Sequence, residues 1–265
     1  MPRFAANLHC LFREWSFLDR FAAAADAGFT AVEFDFPYDV RPDRVAERLQ
    51  RHGLQPVMLH LPAGDWAAGD RGLAALSCRY GELKASVEEG LAYAKAIGAG
   101  KVVMMAGLAA LDDPAAVASF RRAVRHAAER LGQENIGLLL KPLDPREIPG
   151  YFLTNFCYTA SFVAAAGQPN VKMLFDIYQR QLASGDVAMA LGRHVKHVGH
   201  VQVAAVPDRG EPDGEGELSF PFLFCKLERL GFKGFVGCNY HPRGGSTGAG
   251  LGWFRPYATQ IRASA

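Results

Sequence analysis

Two side chains of opposite charge stand at the ends of short apolar segments of this chain. Lys141 follows the segment at 136–140, and Asp176 follows the segment at 171–175. A lysine next to a carboxylate remains an ammonium ion, which can stabilise negative charge that develops on an oxygen. A neutral lysine would instead attack a carbonyl group and form a Schiff base. We favour the electrostatic role, and the alternatives are the Schiff base and a buried ion pair that only fills space.

Other polar residues also stand at the ends of short apolar segments. They are Glu33, Asp35, His60, Gln202 and Asn239. His60 and His241 are candidates for general acid and base, because histidine titrates near neutral pH, and His241 is the better candidate of the two. Glu33 and Asp35 could belong to a site at the strand ends. The equally open alternative is that they point to solvent or cap nearby helices. We do not interpret the evenly spaced His194, His197 and His200 as a metal site, because a strand has a period of two.

Two further segments are candidates for substrate contacts. Arg209 and Glu211 lie in a loop rich in glycine, proline and aspartate. Such a loop is predicted to close over a substrate, and the alternative is a solvated surface loop. Trp66 is predicted to form an apolar wall, either of the pocket or of a contact between subunits of a homo-oligomer.

The elements that must position these residues alternate along the chain. Short apolar runs predict eight strands, at 4–8, 31–36, 55–60, 102–106, 136–141, 171–176, 197–203 and 235–239. Amphipathic stretches between them predict helices at 17–27, 42–52, 81–97, 114–131, 156–166 and 221–230. Repeated βα units of this length match one α/β domain, a (β/α)₈ TIM barrel over residues 1–265. Such a barrel builds its active site from the carboxyl ends of its strands.

The composition excludes several classes of partner. The chain has 265 residues, 21% of them charged, and a formal net charge of +2, so it lacks the basic excess that drives binding to nucleic acid. No stretch reaches the roughly 18 apolar residues of a membrane span, and the N-terminus lacks a secretory pattern. Five widely spaced cysteines fit reduced thiols. We therefore expect a cytoplasmic protein with a small-molecule partner and neither nucleic acid nor membrane.

Five segments carry a resemblance to a known family. They read HLPAGDWAAGDRG at 60–72, LLLKPLD at 138–144, LFDIYQRQ at 174–181, GHVQVAAVPDRGEP at 199–212 and VGCNYHP at 236–242. They resemble the hydroxypyruvate isomerase family, whose members are single-domain barrels related to xylose isomerase and the ketose epimerases. The resemblance covers nearly the whole chain and implies a xylose isomerase-like barrel.

The resemblance also implies a metal site that this chain has altered. In the family a divalent metal would be held by Glu, Asp, Gln and Glu, which fall at Lys141, Asp176, Gln202 and Asn239. Two carboxylates are thus replaced by an ammonium and an amide, whereas a hard dication requires several oxygen ligands, mainly anionic ones. We expect very weak metal binding and no cofactor.

Further replacements lie at the predicted barrel mouth. The family's His, Asp and Lys are replaced by Gln179, Ala205 and His241, whereas the loop at 62–66 is retained together with Arg209 and Glu211. We predict a metal-independent enzyme acting on a small carbonyl compound by isomerisation, enolisation or carbon–carbon bond chemistry. The alternatives are a Schiff-base lyase or aldolase, and an inactive or non-catalytic binding barrel. The predicted catalytic residues are Lys141, Asp176, His241 and His60, and the predicted substrate-binding residues are Gln202, Asn239, Arg209, Glu211, Trp66 and Gln179.

Overall fold

Eight parallel strands close into a barrel in the computed structural model, which describes residues 2–258. The strands are β1 (Arg3–Asn7), β2 (Ala31–Phe34), β3 (Gln55–His60), β4 (Lys101–Met104), β5 (Gly137–Leu140), β6 (Val171–Asp176), β7 (Val198–Val203) and β8 (Phe235–Cys238). Each strand pairs with the next one in the sequence, and β1 closes the ring by pairing with β8. The predicted (β/α)₈ barrel is therefore confirmed. Met1 and residues 259–265 of the predicted domain lie outside the described residues.

Helices follow most strands and surround the barrel. They are α1 (Arg20–Asp26), α2 (Pro42–His52), α3 (Tyr80–Ile97), α4 (Pro114–Gly132), α5 (Phe156–Ala166), α6 (Ile177–Ser184), α7 (Val187–His194), α8 (Phe220–Arg229) and the short α9 (Thr247–Gly250). Glycines end several of them, and Gly53 and Gly98 take the left-handed backbone that stops a helix, with φ of 62° and 77°. Within residues 2–258, no helix is long and apolar enough to cross a membrane.

The sequence did not predict α6 and α7. Helix α6 begins at Ile177, directly after the last residue of β6, so that no loop separates the strand from the helix. The Asp176 side chain caps this helix by accepting a hydrogen bond from the Gln179 backbone N–H at 3.3 Å. The helix therefore sets the directions of the side chains that follow β6.

Both faces of the strands are buried, one against the helices and the other in the barrel interior. Strands β2 and β8 are buried along their whole length, as expected for a parallel sheet covered by helices. Four polar residues of the strands are nevertheless completely buried: Asn7, Glu33, His200 and Gln202. Since buried polar groups require partners, these side chains must bind one another.

Candidate active site

A cavity of about 290 Å³ opens at the carboxyl ends of the strands. Six of the predicted site residues line it: His60, Trp66, Lys141, Arg209, Asn239 and His241. They come from the ends of β3, β5 and β8 and from the loops that follow β3 and β7. The remaining walls are His9, Cys10, Asp35, Phe36, Met105, Leu143, Glu147 and Ile148.

Lys141 lies at the base of this cavity and is almost fully buried. Its Nζ donates a hydrogen bond to Gln202 Oε1 at 2.8 Å and lies 3.6 Å from Asp176 Oδ2. The side chains of Lys141 and Asp176 are only 8% and 1% exposed. The predicted proximity of these two charges at neighbouring strand ends is therefore confirmed.

Asn239 joins the same group from the end of β8. Its Nδ2 donates to Gln202 Oε1 at 3.2 Å and to Asp176 Oδ2 at 3.4 Å. Its Oδ1 accepts from Cys10 Sγ at 3.2 Å. The four positions at which the resemblance places a metal thus bind one another directly, and we call Lys141, Asp176, Gln202 and Asn239 the strand-end quartet.

The donor chemistry of the strand-end quartet does not fit a divalent metal. It offers one carboxylate and two amide groups, while a hard dication takes six or more oxygen ligands, several of them anionic. The ammonium of Lys141 lies among these oxygens and would repel a dication. Across residues 2–258, no group of three or more His, Cys, Asp or Glu side chains is placed to hold a metal ion.

Glu33 supports the strand-end quartet from inside the barrel. Its carboxylate accepts from Gln202 Nε2 at 2.6 Å and from Asn7 Nδ2 at 3.0 Å, and lies 2.5 Å from His200 Nε2. Glu33 is fully buried, so the alternative in which it points to solvent or caps a helix is wrong. Gly237 leaves the space that this carboxylate occupies, because a Cβ there would lie 2.2 Å from Glu33 Oε2. These contacts orient the Gln202 amide so that its oxygen faces Lys141.

Asp35 and two histidines form a second polar group in the cavity wall. His60 Nδ1 lies 3.3 Å from Asp35 Oδ1, and His9 Nε2 lies 4.0 Å from Asp35 Oδ2. Burial acts to raise the pKa of Asp35, but the neighbouring His60 and His9 outweigh it and hold the pKa below its usual value. Asp35 is therefore an anion at neutral pH.

Arg209 and His241 form the outer rim of the cavity. Arg209 Nη1 donates to Glu147 Oε1, and the guanidinium lies 5.2 Å from the centre of the Tyr178 ring. The Arg209 backbone has a φ of 57°, a conformation uncommon outside glycine, and its carbonyl accepts from the His241 N–H at 2.8 Å. Burial and the positive charge of Arg209 lower the pKa of His241, so this imidazole is neutral at pH 7.

Three predicted substrate contacts, Glu211, Gln179 and Gln202, and the predicted catalytic residue Asp176 do not line the cavity. Glu211 is 3% exposed and accepts from the Arg243 N–H at 3.2 Å, so it stabilises the loop and does not face a substrate. Gln179 is fully buried, and its Oε1 accepts from the Asp144 N–H at 2.7 Å. The reason is the immediate start of α6, which turns Gln179 away from the mouth. Asp176 and Gln202 contact the Lys141 ammonium and do not line the cavity themselves.

Several cavity residues were not among the predicted site residues. His9 and Cys10 follow β1, and the strand-end rule applied to that strand would have found them. Glu147 lies in the long loop after β5, where the sequence has no pattern that marks it. Burial raises the pKa of Cys10 to about 12, so its thiol is protonated and is not a nucleophile.

A TIM barrel with a polar site at its strand ends is the class of protein that these features define. The family model described as "Xylose isomerase-like TIM barrel" matches residues 21–257. The chain belongs to this family, and its resemblance to the hydroxypyruvate isomerases is confirmed by its relatives.

Similar proteins span essentially the full length of the chain. A 2-oxo-tetronate isomerase of Cupriavidus necator is 44% identical, with 97% of this chain and 99% of the relative covered. The hydroxypyruvate isomerase of Escherichia coli is 38% identical, with 97% and 100% covered. A crystal structure described as AP endonuclease, family 2, from Brucella melitensis is 44% identical and superposes with a TM-score of 0.95 over 97% of this chain and 99% of that one.

Proposed function

We propose that this chain is an isomerase that moves a carbonyl group between adjacent carbons of a small hydroxy-oxo acid without a divalent metal. The reaction class is supported by relatives named 2-oxo-tetronate isomerase and hydroxypyruvate isomerase. The observation that carries the proposal is the ammonium of Lys141, which occupies the strand-end quartet in place of a metal ligand and borders the cavity.

The size and charge of the cavity fit such a substrate. Its volume of about 290 Å³ is at the small end for ligand sites. Lys141 and Arg209 supply positive charge, and Glu147 supplies an acceptor for a hydroxyl group. A carboxylate on the substrate would be attracted to the two cations, and a hydroxyl would donate to the Glu147 carboxylate.

The Lys141 ammonium would stabilise the transition state of this reaction. Removing a proton from the hydroxyl-bearing carbon places negative charge on the neighbouring carbonyl oxygen, and a cation fixed before the reaction stabilises that charge. Gln202 Oε1 at 2.8 Å and Asp176 at 3.6 Å hold the ammonium in place. A Schiff base would instead require Lys141 as a neutral amine free to attack a carbonyl carbon.

The experiment is to incubate the purified protein with 2-oxo-tetronate and with hydroxypyruvate and to follow isomerisation by proton NMR. We expect turnover that EDTA leaves unchanged. Lys141→Met should lower kcat/KM by about 10²-fold or more, the scale of losing one preorganised stabilising group, and Lys141→Arg should keep part of the activity. Lys95→Met is a matched control, since Lys95 lies in an exposed ion pair with Glu134.

Three results would contradict the proposal. The first is an absence of turnover on both acids, which would favour a non-catalytic barrel. The second is activity that depends on added Mn²⁺ or Mg²⁺ and is lost with EDTA. The third is a borohydride-trapped adduct on the peptide that contains Lys141, which would show a Schiff base.

A further inference from the structure

His60 is the most deeply buried imidazole among the walls of the cavity. It is 4% exposed, whereas the side chain of His9 is 60% exposed. It ends β3, and the Phe36 ring packs against it with the ring centres 5.3 Å apart. A side chain held by a strand end and an aromatic ring has a fixed position, as proton transfer requires.

The two nitrogens of this imidazole have different surroundings. Nδ1 is fully buried and has Asp35 Oδ1 at 3.3 Å, although not in hydrogen-bond geometry. His60 lines the cavity, and its Nε2, unlike Nδ1, is not among the buried side-chain nitrogens without a partner. Because the buried nitrogen faces a carboxylate, which can only accept a hydrogen bond, the proton of the neutral ring belongs on Nδ1. This leaves the lone pair of Nε2 for a molecule in the cavity.

Residues of several elements surround the Asp35 carboxylate. Asn7 Nδ2 approaches Asp35 Oδ1 at 3.5 Å from the end of β1, and His9 Nε2 lies 4.0 Å from Oδ2. The positive charge of Lys141 also acts on Asp35. The charged and titratable groups around the pair are therefore His9, Lys141 and the Cys10 thiol, on which the charge of Asp35 acts. The Tyr38 hydroxyl donates to the His60 carbonyl at 2.6 Å.

We propose that Asp35 is a positioning residue that makes His60 the general base of this cavity. The inference rests on the isomerase function proposed above and deepens it. His60 Nε2 accepts the proton of the hydroxyl-bearing carbon, the C–H electron pair becomes a carbon–carbon double bond, and the carbonyl oxygen takes the negative charge beside Lys141. Return of a proton to the former carbonyl carbon, with transfer of the hydroxyl proton between the two oxygens, completes the isomerisation.

His241 is the competing candidate, and its surroundings suit a base less well. It lies at the exposed rim, and the nearby charge that acts on it most strongly is the cation Arg209. A cation opposes the imidazolium that a general base becomes, whereas the carboxylate of Asp35 stabilises it. The geometry therefore assigns proton abstraction to His60, on the side of the mouth formed by β2 and β3.

The first test is independent of any substrate. NMR of the protein carrying ¹⁵N-labelled histidine reports which ring nitrogen bears the proton, and His60→Gln identifies the signal. We expect the Nδ1–H tautomer for neutral His60 in the wild type. Asp35→Asn should shift it toward Nε2–H, because the new amide can donate to Nδ1. Asp39→Asn is the matched control, since Asp39 is exposed in the same loop and does not line the cavity.

The second test measures catalysis with 2-oxo-tetronate in D₂O. His60→Gln should lower both kcat and the exchange of the carbon-bound proton by about 10²–10⁴-fold, the usual contribution of a general base. Asp35→Asn should lower kcat by at least about 10-fold while KM changes less than about 3-fold, and Asp39→Asn should leave both unchanged.

The outcomes separate this inference from the proposed function. An Nε2–H tautomer in the wild type overturns the assignment whether or not the protein turns over. Normal turnover in His60→Gln also overturns it and leaves the isomerase function standing. A wild-type protein that turns over neither acid contradicts the proposed function, and the tautomer measurement still decides whether Asp35 directs His60.

Discussion

Lys141→Met alone should destabilise the protein strongly. The double variant Lys141→Met with Asp176→Asn should be much less destabilised. The two side chains are 8% and 1% exposed and their charged atoms lie 3.6 Å apart. Lys141→Met leaves the carboxylate of Asp176 buried without its counter-charge. Asp176→Asn leaves the ammonium in the same situation. The double variant contains neither charge, and the asparagine retains the ability to cap α6.

The magnitude follows from the distance and the burial. At an effective dielectric constant of about 20, two unit charges at this separation attract by about 5 kcal/mol. Breaking a buried pair by removing one partner typically costs about 3–5 kcal/mol. Asp176 keeps hydrogen bonds from Asn239 Nδ2 and the Gln179 N–H. Lys141→Met should therefore lower the free energy of unfolding by about 3 kcal/mol, at the low end of that range. The double variant should lie within about 2 kcal/mol of the wild type, because a neutral replacement of both charges is often tolerated.

The assay is urea denaturation of the four proteins in a double-mutant cycle, followed by circular dichroism. The coupling free energy between the two positions should be roughly 2–4 kcal/mol. A second cycle uses Lys95 and Glu134, whose charged atoms are closer, at 2.8 Å, but whose side chains are 51% and 35% exposed. That exposed pair should give at most about 1 kcal/mol.

One result would refute this reasoning. If the Lys141–Asp176 coupling is no larger than that of the exposed pair, the ammonium is not compensating a buried carboxylate. Lys141 would then reach water through the cavity, and its fixed position in the strand-end quartet would be lost as an argument for catalysis.

Three further predictions concern metal binding, the space beside Glu33 and the protonation of a buried histidine. Lys141→Glu combined with Asn239→Glu should restore the anionic ligands of a dication, so calorimetry with Mn²⁺ should detect binding that the wild type lacks. Gly237→Ala should lower the free energy of unfolding by about 1–3 kcal/mol in urea, because its Cβ would lie 2.2 Å from Glu33 Oε2. Burial and nearby arginines lower the pKa of His194, so the unfolded chain binds more protons below about pH 6.5. Stability should therefore fall from pH 7 to pH 5, and less in His194→Gln.

The strand ends were predictable because parallel strands bring consecutive carboxyl ends to one side of a barrel. That rule was sufficient to place Lys141 beside Asp176 and to bring His60 and Asn239 to the same cavity. Applying this rule required only the positions of the apolar runs and their order along the chain. The repeated βα pattern also predicted the number of strands and which strands are neighbours.

The orientation of individual side chains was not predictable in the same way. Glu33 is buried because Gly237, far away in the sequence, leaves space for its carboxylate. Gln179 leaves the mouth because α6 begins without a loop after β6. Both outcomes depend on contacts between distant segments or on a helix start that the apolar pattern does not mark. Local periodicity therefore predicts the strand end, and packing decides which neighbours a side chain meets there.

An ammonium in place of a metal, as proposed for Lys141, would limit what chemistry the cavity can perform. Lys141 has three N–H donors. One is bound to Gln202, and Asp176 Oδ2 lies 3.6 Å from the same nitrogen. A dication can bind two neighbouring oxygens of a substrate at once, whereas an ammonium with a second donor drawn to Asp176 would stabilise one. In the proposed reaction the charge would then develop on one oxygen at a time, as in enolisation, and the second oxygen would require another partner from the cavity wall. Arg209, Glu147 and the Asp35–His60 pair border the same space.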